Sequence, residues 1–334
     1  MIPPAEYVGR VDASAFDPAA YAPGGRYALW LQLGREATER DLPVLLARGA
    51  AAGPCLAVIA GVHGDEYEGV QALLEVWQEL DPSALRGALL AVTIANPPAF
   101  WNGTRLSPLD GCNLAREFPG RPCGSPSQVI AHHIAQAVIG RANFLLDFHT
   151  AGAHLRMPTL VGCDAGDTRS RAAAAAFGAR VIWAHERLAP GRTISFAAER
   201  KIPWLYTEGR GGGRVDPDDC ALFQMGLRRL MRHLNMTDGA LEAVAPPALT
   251  LVGDGDLDQS AIATKAGFFL PTVELLQRVR AGEEIGQTLD PHGAKVERFT
   301  TPSEGVVAML RATPVVRPGD ALFLVTQAEG GPWK

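Results

Sequence analysis

The sequence predicts an α/β fold, in which a mixed, mostly parallel sheet is flanked by helices and followed by a smaller C-terminal all-β domain. From residue 55 to about residue 234, short apolar runs alternate with stretches of helical periodicity, as in successive βαβ units. From residue 245 (Ala-Pro-Pro-Ala-Leu), helical periodicity disappears and short strand-like runs separated by Gly/Pro turns take over. We therefore predict two domains, at residues 1–244 and 245–334.

The elements of the first domain follow from these periodicities. Apolar runs predict strands at residues 27–33, 44–47, 56–60, 89–95, 143–148, 158–162, 181–183 and 203–207. Apolar residues three or four apart predict helices near residues 70–77, 127–139, 167–177 and 217–234. Prolines at positions 3, 4, 18 and 23 predict an irregular N-terminus. Residues 96–126 are predicted to form one long loop, and loops of this length are usually functional.

The second domain contains an internal repeat. Residues 279–285 (Val-Arg-Ala-Gly-Glu-Glu-Ile) are similar to residues 316–322 (Val-Arg-Pro-Gly-Asp-Ala-Leu). Such paired turns resemble the half-barrel repeats of biotinyl and lipoyl carrier domains, which carry their group on an exposed lysine. Lys295 lies between the repeats, but its neighbours Ala294 and Val296 do not match the sequence around that lysine. A small β domain without a prosthetic group is the favoured interpretation.

Composition and charge exclude several classes of protein. The chain of 334 residues is 47% hydrophobic and 20% charged, which is ordinary for a globular protein. A net charge of −5 and the absence of a Lys/Arg run argue against nucleic-acid binding, and no apolar stretch predicts a membrane span. The five cysteines include no C-x-x-C pair, which indicates a reducing compartment and no sulfur-rich zinc site. The N-terminus lacks the layout of a signal peptide, so we expect a cytoplasmic protein.

Three side chains at strand ends have the character of metal ligands. His63 and Glu66 lie three residues apart in a glycine-rich turn after strand 56–60, and His149 follows strand 143–148. Two histidines, one carboxylate and an open position form a recurrent catalytic zinc set, and imidazole ligands favour zinc over magnesium. A bare H-x-x-E pair, however, is more often a turn with a solvated acid and a capping histidine. Asp147 is either a partner that orients His149 or a plain strand-end carboxylate.

Glu208 is the candidate general base. It ends the apolar run 202–207 and precedes a glycine-rich loop, so we expect it to be partly desolvated, with its pKa raised toward the range of a general base. The alternative is a strand-end acid that pairs with Arg210 or Arg214.

Two arginines in the long loop are candidates for binding a substrate. Arg105 and Arg116 lie within residues 96–126, and a guanidinium group binds both oxygens of a carboxylate. Surface-loop arginines are more commonly solvated, so spacing alone does not assign them.

Taken together, these residues resemble the succinylglutamate desuccinylase/aspartoacylase family, a branch of the zinc carboxypeptidase-like hydrolases. The shared motifs span roughly residues 55–213 in the order of the family, and the similarity continues into the C-terminal domain. They comprise Gly61-x-His-Gly-Asp-Glu66, Asn96-Pro97, Arg105, Asp110-Gly-x-Asn-Leu-x-Arg116-x-Phe-Pro-Gly120, Asp147-Phe-His149 and Glu208-Gly209.

The resemblance implies a role for each candidate. It implies one zinc ion per chain, held by His63, Glu66 and His149. It also implies that Glu208 activates the metal-bound water, that Arg105 polarises the scissile carbonyl and holds the oxyanion, and that Arg116 binds the carboxylate of an N-acyl amino acid.

One position departs from the family pattern. The family usually has an asparagine immediately before the arginine, where this chain has Ala115. That asparagine normally assists carboxylate binding, and Asn113, two residues earlier, is the remaining candidate for this role.

We therefore expect a zinc-dependent amidohydrolase that cleaves the amide of a small N-acyl amino acid or related N-acyl amine. Its partner would be this small molecule, with no nucleic acid and no membrane, and a homo-oligomer is left open. One rival is a zinc carboxypeptidase acting on short peptides. The other is a non-catalytic metal-binding, ligand-binding or carrier protein whose site has decayed.

Overall fold

A computed structural model describes residues 4–35, 38–240 and 244–329. The first three residues of the predicted irregular N-terminus and residues 241–243, next to the predicted domain boundary, lie outside this range. In the described parts of the chain, no helix is long and apolar enough to cross a membrane.

A large mixed sheet forms the centre of the protein. Its first ten strands are β1 (Glu6–Asp12), β2 (Arg26–Gln32), β3 (Leu42–Arg48), β4 (Ala51–Ile59), β5 (Arg86–Val92), β6 (Phe144–Phe148), β7 (Leu155–Arg156), β8 (Leu160–Asp164), β9 (Val181–His185) and β10 (Trp204–Glu208). From β1, the hydrogen-bonded order runs β1-β2-β3-β5-β4-β6-β10-β8-β9, with β7 off this path. The neighbours β4, β6 and β10 are parallel, so their C-terminal ends meet at one edge of the sheet.

Helices cover both faces of this sheet. They are α1 (Glu68–Glu79), α2 (Pro97–Asn102), α3 (Pro126–Ala137), α4 (Thr168–Phe177), α5 (Thr193–Glu199) and α6 (Pro217–His233). Side chains alternate along β4: Leu56 and Val58 pack in the core with α1, α4 and α6, whereas Ala57 and Ile59 pack in the core with α3 and α5. Burial of both faces explains why these strands appear in the sequence as continuous apolar runs. The predicted α/β class is confirmed.

Three elements differ from the sequence-based expectation. The N-terminus is not wholly irregular, because β1 pairs in parallel with β2 as an exposed edge strand. The predicted loop 96–126 contains α2, which begins after the N-cap Asn96 with two prolines and ends at Gly103 in a left-handed conformation. Helix α5 was not predicted, because seven residues are too few to show a helical period.

The C-terminal segment is all-β. Its strands are β11 (Leu249–Val252), β12 (Ala261–Ile262), β13 (Gly267–Pro271), β14 (Arg278–Val279), β15 (Glu284–Leu289), β16 (Lys295–Thr300), β17 (Gly305–Arg311), β18 (Val315–Val316) and β19 (Ala321–Ala328). A small sheet has the order β16-β15-β13-β18, whereas β11 extends the central sheet by pairing with β9 and with β19. The boundary predicted at residue 245 thus precedes a strand that belongs to the central sheet.

The internal repeat forms two similar turns. Val279 and Val316 are both buried, and the glycines three residues later, Gly282 and Gly319, both have positive φ, at 81° and 92°. Each repeat therefore anchors a strand end and reverses the chain. Lys295 lies in β16 opposite Leu289, at the first strand position after the connecting turn.

Candidate active site

The predicted site residues lie at the sheet edge where β4, β6 and β10 end. His63 and Glu66 occupy the turn between β4 and α1, His149 follows β6 directly, and Glu208 is the last residue of β10. The turn is tight at Gly64, because a Cβ atom there would lie 2.1 Å from the backbone carbonyl carbon of Ala99 in α2. The side chains of His63, Glu66 and Glu208 are buried.

Glu66 lies between the two histidines. Its Oε1 is 2.7 Å from Nδ1 of His63, and its Oε2 is 3.0 Å from Nδ1 of His149. One ligand atom from each of the three residues lies within 4.8 Å of the others, so the group could hold a metal ion. Glu66 also accepts from the backbone N–H of Thr150 at 3.1 Å and from Nη1 of Arg105 at 3.2 Å.

The far nitrogen of each imidazole faces an acceptor. Nε2 of His63 is 3.0 Å from Oδ1 of Asn113, and Nε2 of His149 is 3.1 Å from Oδ2 of Asp147. Because these oxygens accept, they hold a proton on Nε2 of each ring, so that Nδ1, which faces Glu66, is the nitrogen available to a cation. Burial, and then the charge of Arg105, lowers the pKa of His63, which keeps that imidazole neutral. Burial lowers the pKa of His149, but the charges of Asp147 and then Glu66 outweigh it and raise that pKa well above its ordinary value, so this imidazole is charged in the metal-free chain. A bound cation would replace the proton on its Nδ1. Two ring nitrogens and a carboxylate therefore converge, and this donor set fits a cation, with zinc the metal that His₂Glu sites recurrently bind.

Asp147 is thus more than a strand-end carboxylate. Besides facing His149, its Oδ2 accepts a short hydrogen bond from the hydroxyl of Thr193, the first residue of α5. The structure places Asp147 where it fixes the orientation of the His149 ring.

The carboxyl group of Glu208 has an unusually high pKa. Burial, and then the nearby charge of Glu66, raises its pKa to about 8. Among the described residues, its Oε2 is buried without a hydrogen-bond partner. A carboxyl group whose pKa lies near neutrality can both accept and donate a proton at physiological pH.

A pocket opens in front of these groups. Its lining combines three guanidinium groups and the metal-ligand candidates with several apolar and aromatic side chains. The residues that line it are His63, Arg105, Ala115, Arg116, Asp147, His149, Met157, Trp183, His185, Arg192, Thr193, Ile194, Tyr206, Glu208, Gly255 and Leu257. Ala115, which replaces the asparagine of the family, therefore lies at the pocket itself.

A hydrogen-bond chain joins the pocket floor to the C-terminal segment. The ring of Tyr206 crosses β8 at Gly162, where a Cβ atom would lie 1.7 Å from Cε1 of the ring. This approach brings the Tyr206 hydroxyl within 2.7 Å of Nε2 of His185, whose Nδ1 is 3.0 Å from the carbonyl oxygen of Gly253. Because a carbonyl can only accept, Nδ1 of His185 carries a proton. Burial lowers the pKa of His185 to about 4, so the ring is neutral near pH 7 and Tyr206 donates to Nε2.

We expect His185 to make folding stability fall on mild acidification. Burial is the main reason why its pKa falls to about 4, although the carbonyl of Gly253 and the charge of Asp254 oppose the shift and Arg192 adds to it. The unfolded chain, with a histidine pKa of about 6.5, therefore binds the proton more tightly, and stability is complete above about pH 6.5 and is lost as the pH falls toward 4. Between about pH 7.5 and about pH 5 this group alone lowers the free energy of unfolding by about 2 kcal/mol.

The measurement is urea denaturation of the wild type and of His185→Gln at both pH values. Between these two pH values, the free energy of unfolding of the variant should fall by about 2 kcal/mol less than that of the wild type. Equal losses in the two proteins would show that His185 does not stay neutral in the folded state.

An acidic strap, residues 253–259, contributes Gly255 and Leu257 to the lining of the pocket. Asp258 pairs with Arg116 through two bonds, from Nε at 2.7 Å and from Nη2 at 2.9 Å. Asp256 pairs with Arg192, whose Nη2 is 2.7 Å from Oδ1 of the carboxylate. The strap thereby contacts two of the three guanidinium groups at the pocket.

The family model of the succinylglutamate desuccinylase/aspartoacylase catalytic domain matches residues 52–234, more than half of the chain and all of the elements that carry the metal-ligand candidates. The chain belongs to this family. The resemblance predicted from the sequence motifs is thereby confirmed.

Relatives and solved structures agree with this assignment. The N-alpha-acetyl-L-2,4-diaminobutyric acid deacetylase of Halomonas elongata is 29% identical over 287 residues, which cover 82% of each chain. A crystal structure of a succinylglutamate desuccinylase/aspartoacylase from Rhodobacter sphaeroides is 28% identical, with a TM-score of 0.79, covering 90% of this chain and 95% of its own. The product-bound ectoine utilization protein EutE from Ruegeria pomeroyi is 25% identical, with a TM-score of 0.80 and the same coverage.

Sequence reasoning found one half of the site and missed the other. The structure brings all seven predicted residues to one pocket or its rim: His63, Glu66, Arg105, Asn113, Arg116, His149 and Glu208. Asn113 contacts His63 and the backbone N–H of Ala115 through the same oxygen, so it orients one of the metal-ligand candidates directly. The residues that were missed come from α5, β9, β10 and the strap: His185, Arg192, Thr193, Tyr206, Asp256 and Asp258. The only sequence signal for any of them is the acidic run 254–258.

Proposed function

We propose that this protein is a zinc-dependent deacylase that hydrolyses the amide of a small N-acyl amino acid. The observation that carries the proposal is the convergence of Nδ1 of His63 and Nδ1 of His149 on the carboxylate of Glu66, beside the buried carboxyl group of Glu208. Membership of a family that includes desuccinylases and deacetylases supports the hydrolytic reaction.

His63, Glu66 and His149 would hold the zinc ion. When bound, zinc supplies a Lewis acid that polarises the acyl carbonyl and lowers the pKa of water. Asn113 and Asp147 keep the two imidazoles in the tautomer and orientation that this role requires. Zinc would also give Glu66 a partner other than Arg105, which then becomes available to the substrate.

Glu208 moves the protons of the reaction. As its carboxylate, it accepts a proton from the water that attacks the acyl carbon, and as the acid it donates that proton to the leaving nitrogen. In the metal-free chain the pKa, raised chiefly by burial, is about 8. A zinc ion nearby would lower this pKa, which favours the carboxylate that accepts the first proton. The same group therefore serves as base and as acid.

The arginines bind the two charged parts of the substrate. Arg105 lies within 3.2 Å of Glu66 and donates to the acyl oxygen as negative charge develops there. Arg116, at the rim, binds the carboxylate of the amino acid, although Ala115 supplies no amide to assist it. The Halomonas elongata relative is named as a deacetylase, so we propose acetyl as the acyl group.

A substrate panel tests the function. Zinc-loaded protein is incubated with N-acetyl, N-succinyl and N-formyl amino acids and with unblocked dipeptides, and release of free amine is measured. We expect turnover of N-acetyl amino acids and little or none of dipeptides. Preferential cleavage of dipeptides would instead establish a carboxypeptidase. Absence of turnover with every compound, by protein that binds zinc, would favour a non-catalytic binding protein.

A further inference from the structure

The acidic strap places one carboxylate against each of two pocket arginines, Arg116 and Arg192, and the two ion pairs differ in burial. The Asp258 side chain is 64% exposed, whereas those of Asp256 and Arg192 are only 15% and 13% exposed. Exposed ion pairs are weak because water and salt screen them, so a substrate carboxylate can displace Asp258 from Arg116. The Asp256–Arg192 pair is shielded from water and salt, so it is harder to displace than the Asp258–Arg116 pair.

Asp256 is also fixed by its backbone position. It is the N-cap of a short 3₁₀ helix, residues Leu257–Gln259, and its Oδ1 accepts from the backbone N–H of Asp258 at 3.3 Å. The neighbouring Leu257 lines the pocket. The carboxylate that holds Arg192 is therefore positioned by the same turn that forms the pocket wall.

These pairs leave the pocket with little spare positive charge. Among the described lining residues the arginines are Arg105, Arg116 and Arg192. In the proposed function, Arg105 binds the acyl oxygen and Arg116 binds the α-carboxylate of the substrate. Arg192 is then the remaining group that could bind a second carboxylate, and Asp256 already neutralises it.

We propose that Asp256 is a specificity-determining residue that excludes substrates with an anionic side chain. The inference rests on the proposed function for the placement of the α-carboxylate on Arg116. It narrows the substrates to N-acyl amino acids whose side chain is uncharged or positively charged. A side-chain carboxylate would have to enter the pocket next to Asp256 without a free cation, and such like-charge contacts disfavour binding.

The test compares two substrates of nearly the same shape, N-acetyl-L-aspartate and N-acetyl-L-asparagine. Wild-type protein should prefer the asparagine compound in kcat/KM by about tenfold or more, because a buried charge without a partner is costly. Asp256→Asn should shift this ratio toward the aspartate compound by about 10- to 100-fold, since it frees the Arg192 guanidinium. Asparagine is also a good N-cap, so the turn is retained while the charge is removed.

Three matched variants isolate the pair. Asp256→Glu keeps the carboxylate and should keep the wild-type ratio. Asp254→Asn also removes one negative charge from the strap, but Asp254 does not pair with Arg116 or Arg192. This variant should therefore leave the ratio unchanged. Adding Arg192→Met to Asp256→Asn should abolish the gain. An equal shift in Asp254→Asn would overturn the proposal, because the effect would then come from net charge and not from the Asp256–Arg192 pair.

A binding measurement separates this inference from the proposed function. Calorimetry with N-acetyl-L-aspartate compares Glu208→Gln with Glu208→Gln/Asp256→Asn, so that no turnover is needed. We expect the second protein to bind about tenfold or more tightly. Equal affinity, or no binding by either protein, would overturn the role of Asp256. Failure of the wild type to turn over any N-acyl amino acid would instead contradict the deacylase function.

Discussion

The Glu208→Gln variant is expected to retain about one zinc ion per chain and to lose about 10²- to 10⁴-fold in kcat, the usual contribution of a positioned general acid–base group. The amide occupies the same space but can neither accept nor release the proton. The ligand atoms of His63, Glu66 and His149 are untouched by the change. Zinc content by elemental analysis and amine release from an N-acetyl amino acid measure the two quantities together.

The same variant provides its own folding control. Because burial holds the pKa of Glu208 at about 8, the group is largely protonated at neutral pH in the metal-free chain, and an amide is a close substitute. Thermal unfolding of the metal-free variant should therefore match that of the wild type. Glu199→Gln, an exposed exchange of the same type in α5, should leave kcat unchanged. Near-normal turnover by Glu208→Gln would remove Glu208 from the mechanism.

The His149→Ala variant is expected to lose zinc. Two protein ligands would remain where three converge, and even loss of a residue that merely orients a ligand typically costs about 10- to 100-fold in metal affinity. After dialysis against zinc-free buffer, we expect the zinc content to fall from about one per chain to less than about a tenth of that. Amine release should fall with it.

His154→Ala is the matched control for this loss. His154 lies five residues further along the chain, and its Nδ1 is 3.2 Å from the hydroxyl of Thr313 in the C-terminal segment. It does not belong to the group His63, Glu66 and His149. This variant should keep both its zinc and its activity. Stoichiometric zinc in His149→Ala would exclude His149 from the ligand set.

The metal-ligand group was predictable because it depends on local rules. His63, Glu66 and His149 each follow a buried apolar run, and such runs identify strands whose C-terminal ends share one edge of an α/β sheet. Glu208 was predictable for the same reason. The family motifs then suggested, for each of these positions, the role that spacing alone left open.

The contacts of Arg192 and Tyr206 at the pocket were not predictable from local rules. Arg192 caps a helix of seven residues, which is too short for its period to show, and its partner Asp256 lies 64 residues away along the chain. The Tyr206–His185 contact depends on Gly162 in the strand between them, where only the absence of a side chain lets the ring pass. These contacts arise from the assembled sheet. The acidic run 254–258 marks the strap in the sequence but does not indicate which arginine each carboxylate meets.

The pairing of β11 with β9 has a consequence for how substrate preference can change in this architecture. A chain that ended before β11 would leave β9 as an open edge with unpaired backbone groups. It would also remove Asp258 and Asp256, the partners of Arg116 and Arg192. The C-terminal segment is therefore not a cassette that recombination can exchange between enzymes. On the proposed role of Asp256, substrate preference would change through single substitutions in residues 253–259, which leave the strand pairing intact.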